Sequence, residues 1–281
     1  VYSGYVDALN ANASGGVLFS LPKVTAAPFF TTVPNDALVL DAETAANLTG
    51  FFQAVSGIFT QGLILQGVPA QQAQALGAQY AITFNEGPNR FIIDVPATQT
   101  NPLGFRQMQN EELLLLTIDQ SALAQGYGSV SLTPEVLQVL GILQQGGNPT
   151  PQQAQLVLDA VNGIDDPDAL DNSELEAIST AINSYNTTIE NLAQSNDLAF
   201  VDINKVLQEA QVGIPFDGGI LTTTFVTGGA FSLDGIHLTP RGYALVANEA
   251  IKSINSTYNS TLPTVNLGDF RTIATSDNTN L

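Results

Sequence analysis

The chain has 281 residues, with seven Lys or Arg against 26 Asp or Glu, a formal net charge of −19 and an isoelectric point near 4.1. A surface of that sign repels phosphate backbones and anionic membrane surfaces, which argues against nucleic-acid binding. The lack of cysteine removes disulfides, thiolate nucleophiles and thiolate metal sites, and one histidine is too few for a His-rich centre, so neither a metal nor an organic cofactor is expected.

At this length the chain can bury a sizeable core as one elaborated domain or as two. Val17 to Leu21, bounded by Gly15-Gly16 and Pro22, has the length and flanks of a buried parallel strand. Lys23 to Asp36, punctuated by Pro28 and Pro34, then reads as an extended loop carrying Phe29, Phe30 and Val33. In doubly wound sheets ligands sit beyond the carboxyl ends of the strands, so this loop is placed to line a site. Its aromatics either contact a ligand or simply pack the loop down.

Ala- and Gln-rich helices follow at 41–60 and 69–78. Tyr80 to Phe84 and Arg90 to Val95, around Gly87-Pro88, read as a hairpin, and Glu112–Asp119 as a strand. Leu113 to Leu116 is the core of that strand and far short of the ~20 apolar residues of a membrane span, and no other uninterrupted run approaches it. Helices are expected at 133–144, 150–160 and 171–195, capped by Thr133, Thr150 and Asp171, the first two followed by Pro134 and Pro151. Along the last of them Ile178, Ile182, Tyr185, Ile189 and Leu192 recur on one face, and a strand at 198–203 follows. The tail beyond Tyr258 has little to bury and is expected at the periphery.

The only histidine, His237, lies in Phe231-Ser232-Leu233-Asp234-Gly235-Ile236-His237-Leu238-Thr239-Pro240-Arg241-Gly242-Tyr243. Thr239 as N-cap and Pro240 as first helical residue start a helix to about Asn255 and fix the preceding turn. An imidazole titrating near pH ~6.5 can take a proton from a hydroxyl nucleophile, and a carboxylate on its other nitrogen sets its tautomer. His237 and Asp234 suit those two roles. Ser232 lacks a nucleophile-elbow context and is a poor candidate for attack. Arg241 is expected to pair with one of the many acids, Asp202 to be structural, and Gly228-Gly229 to form a tight turn. Asp165-Asp166-Pro167-Asp168, with Asp171 and Glu174, lacks the spacing of a calcium loop and reads as a solvated helix start. Five Asn-x-Ser/Thr sequons begin at Asn12, Asn47, Asn186, Asn255 and Asn259, which in so Asn- and Thr-rich a chain is expected by chance.

The Asp-Gly-x-His step followed by a Gly-Tyr-containing helix resembles the C-terminal signature of the SGNH (GDSL-type) hydrolases. The run from Phe225 to Ala250 is most similar to their Bacteroidetes branch. Leu198 to Ile203 resembles the family's last core strand and Gly16 to Pro22 the one before it. The resemblance implies an α/β fold, a flavodoxin-like α/β/α sandwich incomplete in this chain, with a large mixed α+β insertion. It implies core at 1–40 and 179–258, an insertion at 41–178 and a tail at 259–281. The family's Gly-Asp-Ser-Leu-like block and its oxyanion-hole blocks do not occur here, so only Asp234 and His237 carry over. The chain then reads as the C-terminal part of a longer serine esterase. Its expected partners are an ester substrate with an acyl chain, the missing N-terminal portion of the same protein and an outer-membrane or envelope protein, in an exported location. The rival expectation is a non-catalytic scaffold whose insertion docks a partner. The insertion itself is expected to cap the strand ends and narrow access to His237.

Overall fold

Apolar residues at helical spacing and short apolar runs between turn residues give this chain a mixed α/β architecture of many helices and small two-stranded sheets. The computed structural model describes residues 1–11, 13 and 15–273. The sequon at Asn12 and the polar stretch 275–280 lie outside the described residues. The chain divides into two compact units, Val1–Thr32 with Ser173–Leu281, and Val33–Asn172. The first unit opens with α1 (Tyr2–Asn10), β1 (Val17–Phe19) and α2 (Pro28–Thr31). The loop after β1 is thus not extended throughout, because Pro28 at the first helical position starts a helical turn.

The second unit contains β2 (Leu38–Leu40), α3 (Ala42–Leu65), α4 (Ala70–Ala78), β3 (Gly87–Asn89), β4 (Ile92–Asp94), β5 (Phe105–Gln107), β6 (Leu113–Leu114), α5 (Gln120–Leu123), β7 (Ser129–Val130), α6 (Pro134–Gln144), α7 (Pro151–Leu158), β8 (Val161–Asn162) and β9 (Ala169–Leu170). Asp41 caps α3 by accepting from Thr44 N, and buried Ala45, Leu48, Phe52 and Val55 make a helical stripe with Phe51 beside it. Among the described residues α3 is the one helix long and apolar enough to cross a membrane. It holds no uninterrupted apolar run of that length, because Gln53, Ser56, Thr60 and Gln61 break the run. Its stripe instead meets Tyr80, Ile82, Phe84, Ile92 and Phe105, with the Phe52 and Phe84 ring centroids 5.5 Å apart and those of Tyr80 and Phe105 5.0 Å apart. Each such ring or branched side chain taken from water contributes about 1.5–3 kcal/mol.

The hairpin expected around Gly87-Pro88 does not form. Residues 80–84 alternate between buried and exposed as a strand would, but Phe84 N donates to Thr49 Oγ1 of α3 at 2.9 Å and Thr49 Oγ1 donates to Phe84 O at 3.3 Å. A helix side chain therefore takes the backbone bonds that a partner strand would have taken. The buried Asn89 amide closes the turn, accepting from Asn85 N and donating to Asn85 O and Gly87 O, and leaves β3 to pair antiparallel with β2 while β4 pairs with β5. The strand expected at 112–119 shrinks to β6, paired with β9, because Asp119 caps α5 through Ser121 N and Ala122 N and ends the extended run. Glu112 is fully buried and stays satisfied, accepting from Arg106 through both guanidinium nitrogens, from Gln109 N at 2.7 Å and from Asn172 N at 3.2 Å.

The first unit resumes with α8 (Asn172–Ser195), β10 (Ala199–Val201), α9 (Ile203–Val212), β11 (Ile214–Phe216), β12 (Gly219–Leu221) and α10 (Pro240–Tyr258). β1 and β10 form a parallel pair in the register Val17↔Ala199 to Phe19↔Val201, the pairing expected from their two apolar runs. No third strand adds to it among the described residues. A two-stranded pair gives a 24-residue helix little to lie on, and along α8 only Ile189 and Ala193 are buried, while Tyr185 of the expected face is 57% exposed. The described part of the tail, 259–273, is less peripheral than its composition suggests: Leu267 is buried in the core with Val201, Leu221, Phe231 and Leu245, and Asn248 of α10 exchanges two hydrogen bonds with Val265.

Candidate active site

The segment after β12 is built as a platform for one turn. Thr222 N donates to Gly228 O and Gly228 N to Thr224 O, so the Gly228 peptide closes a loop within the chain. At its apex Val226 has φ +64°, and Thr227 N donates to Phe225 O at 2.7 Å, the three-residue bond of a γ-turn at a β-branched residue. The chain then goes out and back: Phe231 bridges antiparallel to Leu238, Thr239 N donates to Ala230 O at 2.9 Å and Ser232 N to His237 O at 2.8 Å. At the tip Gly235 N donates to Ser232 O at 3.0 Å, with Gly235 at φ +70°, a conformation that costs any residue with a Cβ about 1 kcal/mol or more. Asp234 and His237 stand on this tip.

The return leg runs directly into α10. The Thr239 hydroxyl donates to Gly229 O at 2.6 Å and accepts from Gly242 N at 3.1 Å, so one buried side chain both caps the helix and ties it to the outgoing leg. Gly242 makes that approach possible: a Cβ there would lie 2.3 Å from Ala230 O. The loop from β1 reaches the same tip, held on its way by Asn186, which accepts from Leu21 N and donates to Leu21 O, and by Asn204, which accepts from Lys23 N. Phe29 N then donates to Gly235 O at 3.0 Å, and the Phe29 and Phe30 rings meet edge to face with centroids 5.0 Å apart. The expected closeness of this loop to the histidine is present within the unit.

Asp234 Oδ1 accepts three hydrogen bonds, from Ser232 Oγ at 2.7 Å and from Ile236 N and His237 N at 2.9 Å each. Its Oδ2 lies 2.7 Å from His237 Nδ1. Together these donors hold the Asp234 carboxyl well below the usual carboxylate range, the Ser232 hydroxyl most strongly, then Ile236 N–H, the imidazole and His237 N–H. An ionised carboxylate only accepts, so Nδ1 carries the proton and, in the neutral ring, Nε2 keeps the lone pair. The imidazole is 71% exposed and the carboxylate side chain 49%. No hydroxyl among the described residues hydrogen-bonds Nε2. Leu233 and Ile236, 64% and 48% exposed, flank the pair.

The other candidates fall into structural roles. Asp202 caps α9 through Asn204 N and Lys205 N. Arg241 pairs with no acid among the described residues: its Nε donates to Leu267 O and Phe270 O and its guanidinium lies 4.7 Å from the Phe216 ring centroid. Asp168 accepts from Tyr127 Oη, which in turn accepts from Asp165 N, so part of the acidic run pins a tyrosine. The amides of the sequon residues Asn186 and Asn255 are engaged with backbone. The contribution that sequence reasoning missed is the Ser232 hydroxyl; its signal is the Ser-x-Asp spacing, which places a hydroxyl over the carboxylate of a turn that bonds back to residues two and three further on. The chain matches no family model, no curated protein and no solved structure.

Proposed function

We propose that Asp234 and His237 are the acid–base half of an ester hydrolase of the SGNH type, on a flavodoxin-like core. In this reading a serine from outside these 281 residues attacks the ester carbonyl, His237 Nε2 takes its proton and later gives it to the leaving alkoxide, and Asp234 holds the Nδ1–H tautomer and steadies the imidazolium. The observation that carries it is the 2.7 Å contact of His237 Nδ1 with a carboxylate whose other oxygen is saturated, which leaves Nε2 outward on a turn locked at both ends. Exposed Leu233 and Ile236 beside the base fit an ester with an acyl chain. An exported or cell-envelope location, with an envelope protein as a further partner, belongs to the same reading.

One observation favours a second reading, a non-catalytic scaffold on this fold: the imidazole is 71% exposed, whereas working bases are shielded from water. Hydrolysis of a short-chain p-nitrophenyl ester tests the first. The 281-residue chain alone should give no turnover, since a base without nucleophile or oxyanion donors lacks the acyl-enzyme route. Turnover by this chain that disappears in His237→Ala would place the serine inside it.

A further inference from the structure

A carboxylate at the tip of a surface turn has two equivalent oxygens and is free to rotate unless something distinguishes them. Here something does. Oδ1 takes three donors and Oδ2 takes the imidazole alone. Two of the three are backbone N–H groups of Ile236 and His237, fixed by the turn, while the third is a side chain reaching across from the opposite leg of the hairpin. The turn itself does not depend on that side chain, because Ser232 N donates to His237 O and Gly235 N to Ser232 O whatever stands at position 232. Nor is the hydroxyl aimed at the imidazole, since its proton goes to Asp234 Oδ1 at 2.7 Å.

We infer that Ser232 is a positioning residue: its hydroxyl fixes the Asp234 carboxylate with Oδ2 toward His237 Nδ1, and so selects the imidazole tautomer that leaves Nε2 free to accept a proton. The inference rests on reading Asp234 and His237 as a base with its orienting carboxylate. Ser232 touches no reacting atom in this account and acts through Asp234 alone. The backbone donors fix one oxygen as a point; the hydroxyl, approaching from the side of the outgoing leg, removes the remaining swing of the carboxylate about that point. A charge-assisted bond of this kind is stronger than a neutral one, so its loss should be visible in the tautomer equilibrium.

The test uses the whole chain, in which His237 is the only histidine and its two ring nitrogens give the only imidazole signals. Nitrogen-15 NMR, recorded at a pH where the ring is neutral, reads the ratio of Nδ1–H to Nε2–H tautomers directly. Wild-type protein should be predominantly Nδ1–H. Ser232→Ala should move the ratio toward Nε2–H by on the order of tenfold, Ser232→Thr should restore it, and the backbone amide spectrum should show the fold retained. Ser232→Cys, of similar shape but a weak donor, takes the place of the alanine protein should that fail to fold, and is read the same way. Asp234→Ala separates the two levels. Loss of the Nδ1–H preference in Asp234→Ala with none in Ser232→Ala overturns the role of Ser232 and leaves the pair standing. No loss in either overturns the pair itself. A shift in Ser232→Ala that threonine does not reverse overturns the inference too, since the hydroxyl would not be its cause.

Discussion

Four donors converge on the carboxylate of Asp234, and this makes it the most perturbed group of the site. The consequence for pH follows from the sign. A carboxyl held below its ordinary value stabilises the folded turn fully above the unfolded value of ~3.9, where neither state binds the proton, and that contribution is lost as pH falls from there through the lower folded value, where the unfolded chain binds a proton first. Carboxyl carbon-13 NMR should therefore find Asp234 still ionised at pH 3.8, the ordinary value for an aspartate. Half-protonation there would show that the Ser232 and backbone bonds are not made in solution. The pair itself was legible in the sequence, because a three-residue Asp-to-His step before a Thr-Pro helix start admits few geometries. The Ser232 hydroxyl was missed although the Ser-x-Asp spacing signals it, because Ser232 was weighed only as a nucleophile. Arg241 is a related case: composition suggested an acid as partner, and among the described residues its Nε meets two tail carbonyls that no local pattern announces.

At the scale of elements, capped helices and the apolar strands β1 and β10 were read closely, and the strands between them poorly. Thr133-Pro134, Thr150-Pro151 and Thr239-Pro240 each start a helix within a residue of where the capping hydroxyl says they should, although the second ends two residues before the expected bound and the third three residues after it. Strand pairing is non-local, and residues 80–84 show what that costs: their alternation is real, but it answers to the face of α3 and the hydroxyl of Thr49 instead of a neighbouring strand. The same packing that hides Tyr80 among aromatic rings raises its phenol, and burial followed by the Asp168 carboxylate raises that of Tyr127, against the pull of the backbone N–H groups that each accepts. In the unfolded chain both ionise near pH ~10. The folded state then binds more protons than the unfolded one, so this stabilisation is present below ~10 and is lost as pH rises through the higher folded values. The melting temperature of the Val33–Asn172 unit should fall between pH 9 and 11 with phenolate absorbance appearing at the transition. A melting temperature unchanged over that range would mean that neither phenol is sequestered.

For the molecule as a whole, the chain divides into one unit continuous in sequence and one made of the two flanking segments. The division lies at 33 and 172 where the reading placed 41 and 178, because Leu38–Leu40 pairs with Gly87–Asn89 and so belongs to the second unit. Both large apolar clusters of that unit are drawn from its own residues, including Phe51, Phe52, Tyr80 and Phe105 in one and Phe91, Ile93, Leu114 and Ile164 in the other. Residues 33–172 expressed alone should accordingly fold and unfold as one cooperative transition; a broad, non-cooperative melt would show that the unit borrows its core from elsewhere. We propose that this unit sets substrate or partner choice, as long ordered elaborations commonly do.

The central claim concerns the first unit, and kinetics on the longest natural polypeptide that carries these residues tests it most directly. With a short-chain ester as substrate, His237→Ala and Asp234→Ala should each lower kcat by on the order of 10²–10⁴-fold while the protein stays folded, since both act on proton transfer. Wild-type turnover by the His237→Ala protein would contradict the assignment of His237 as the base.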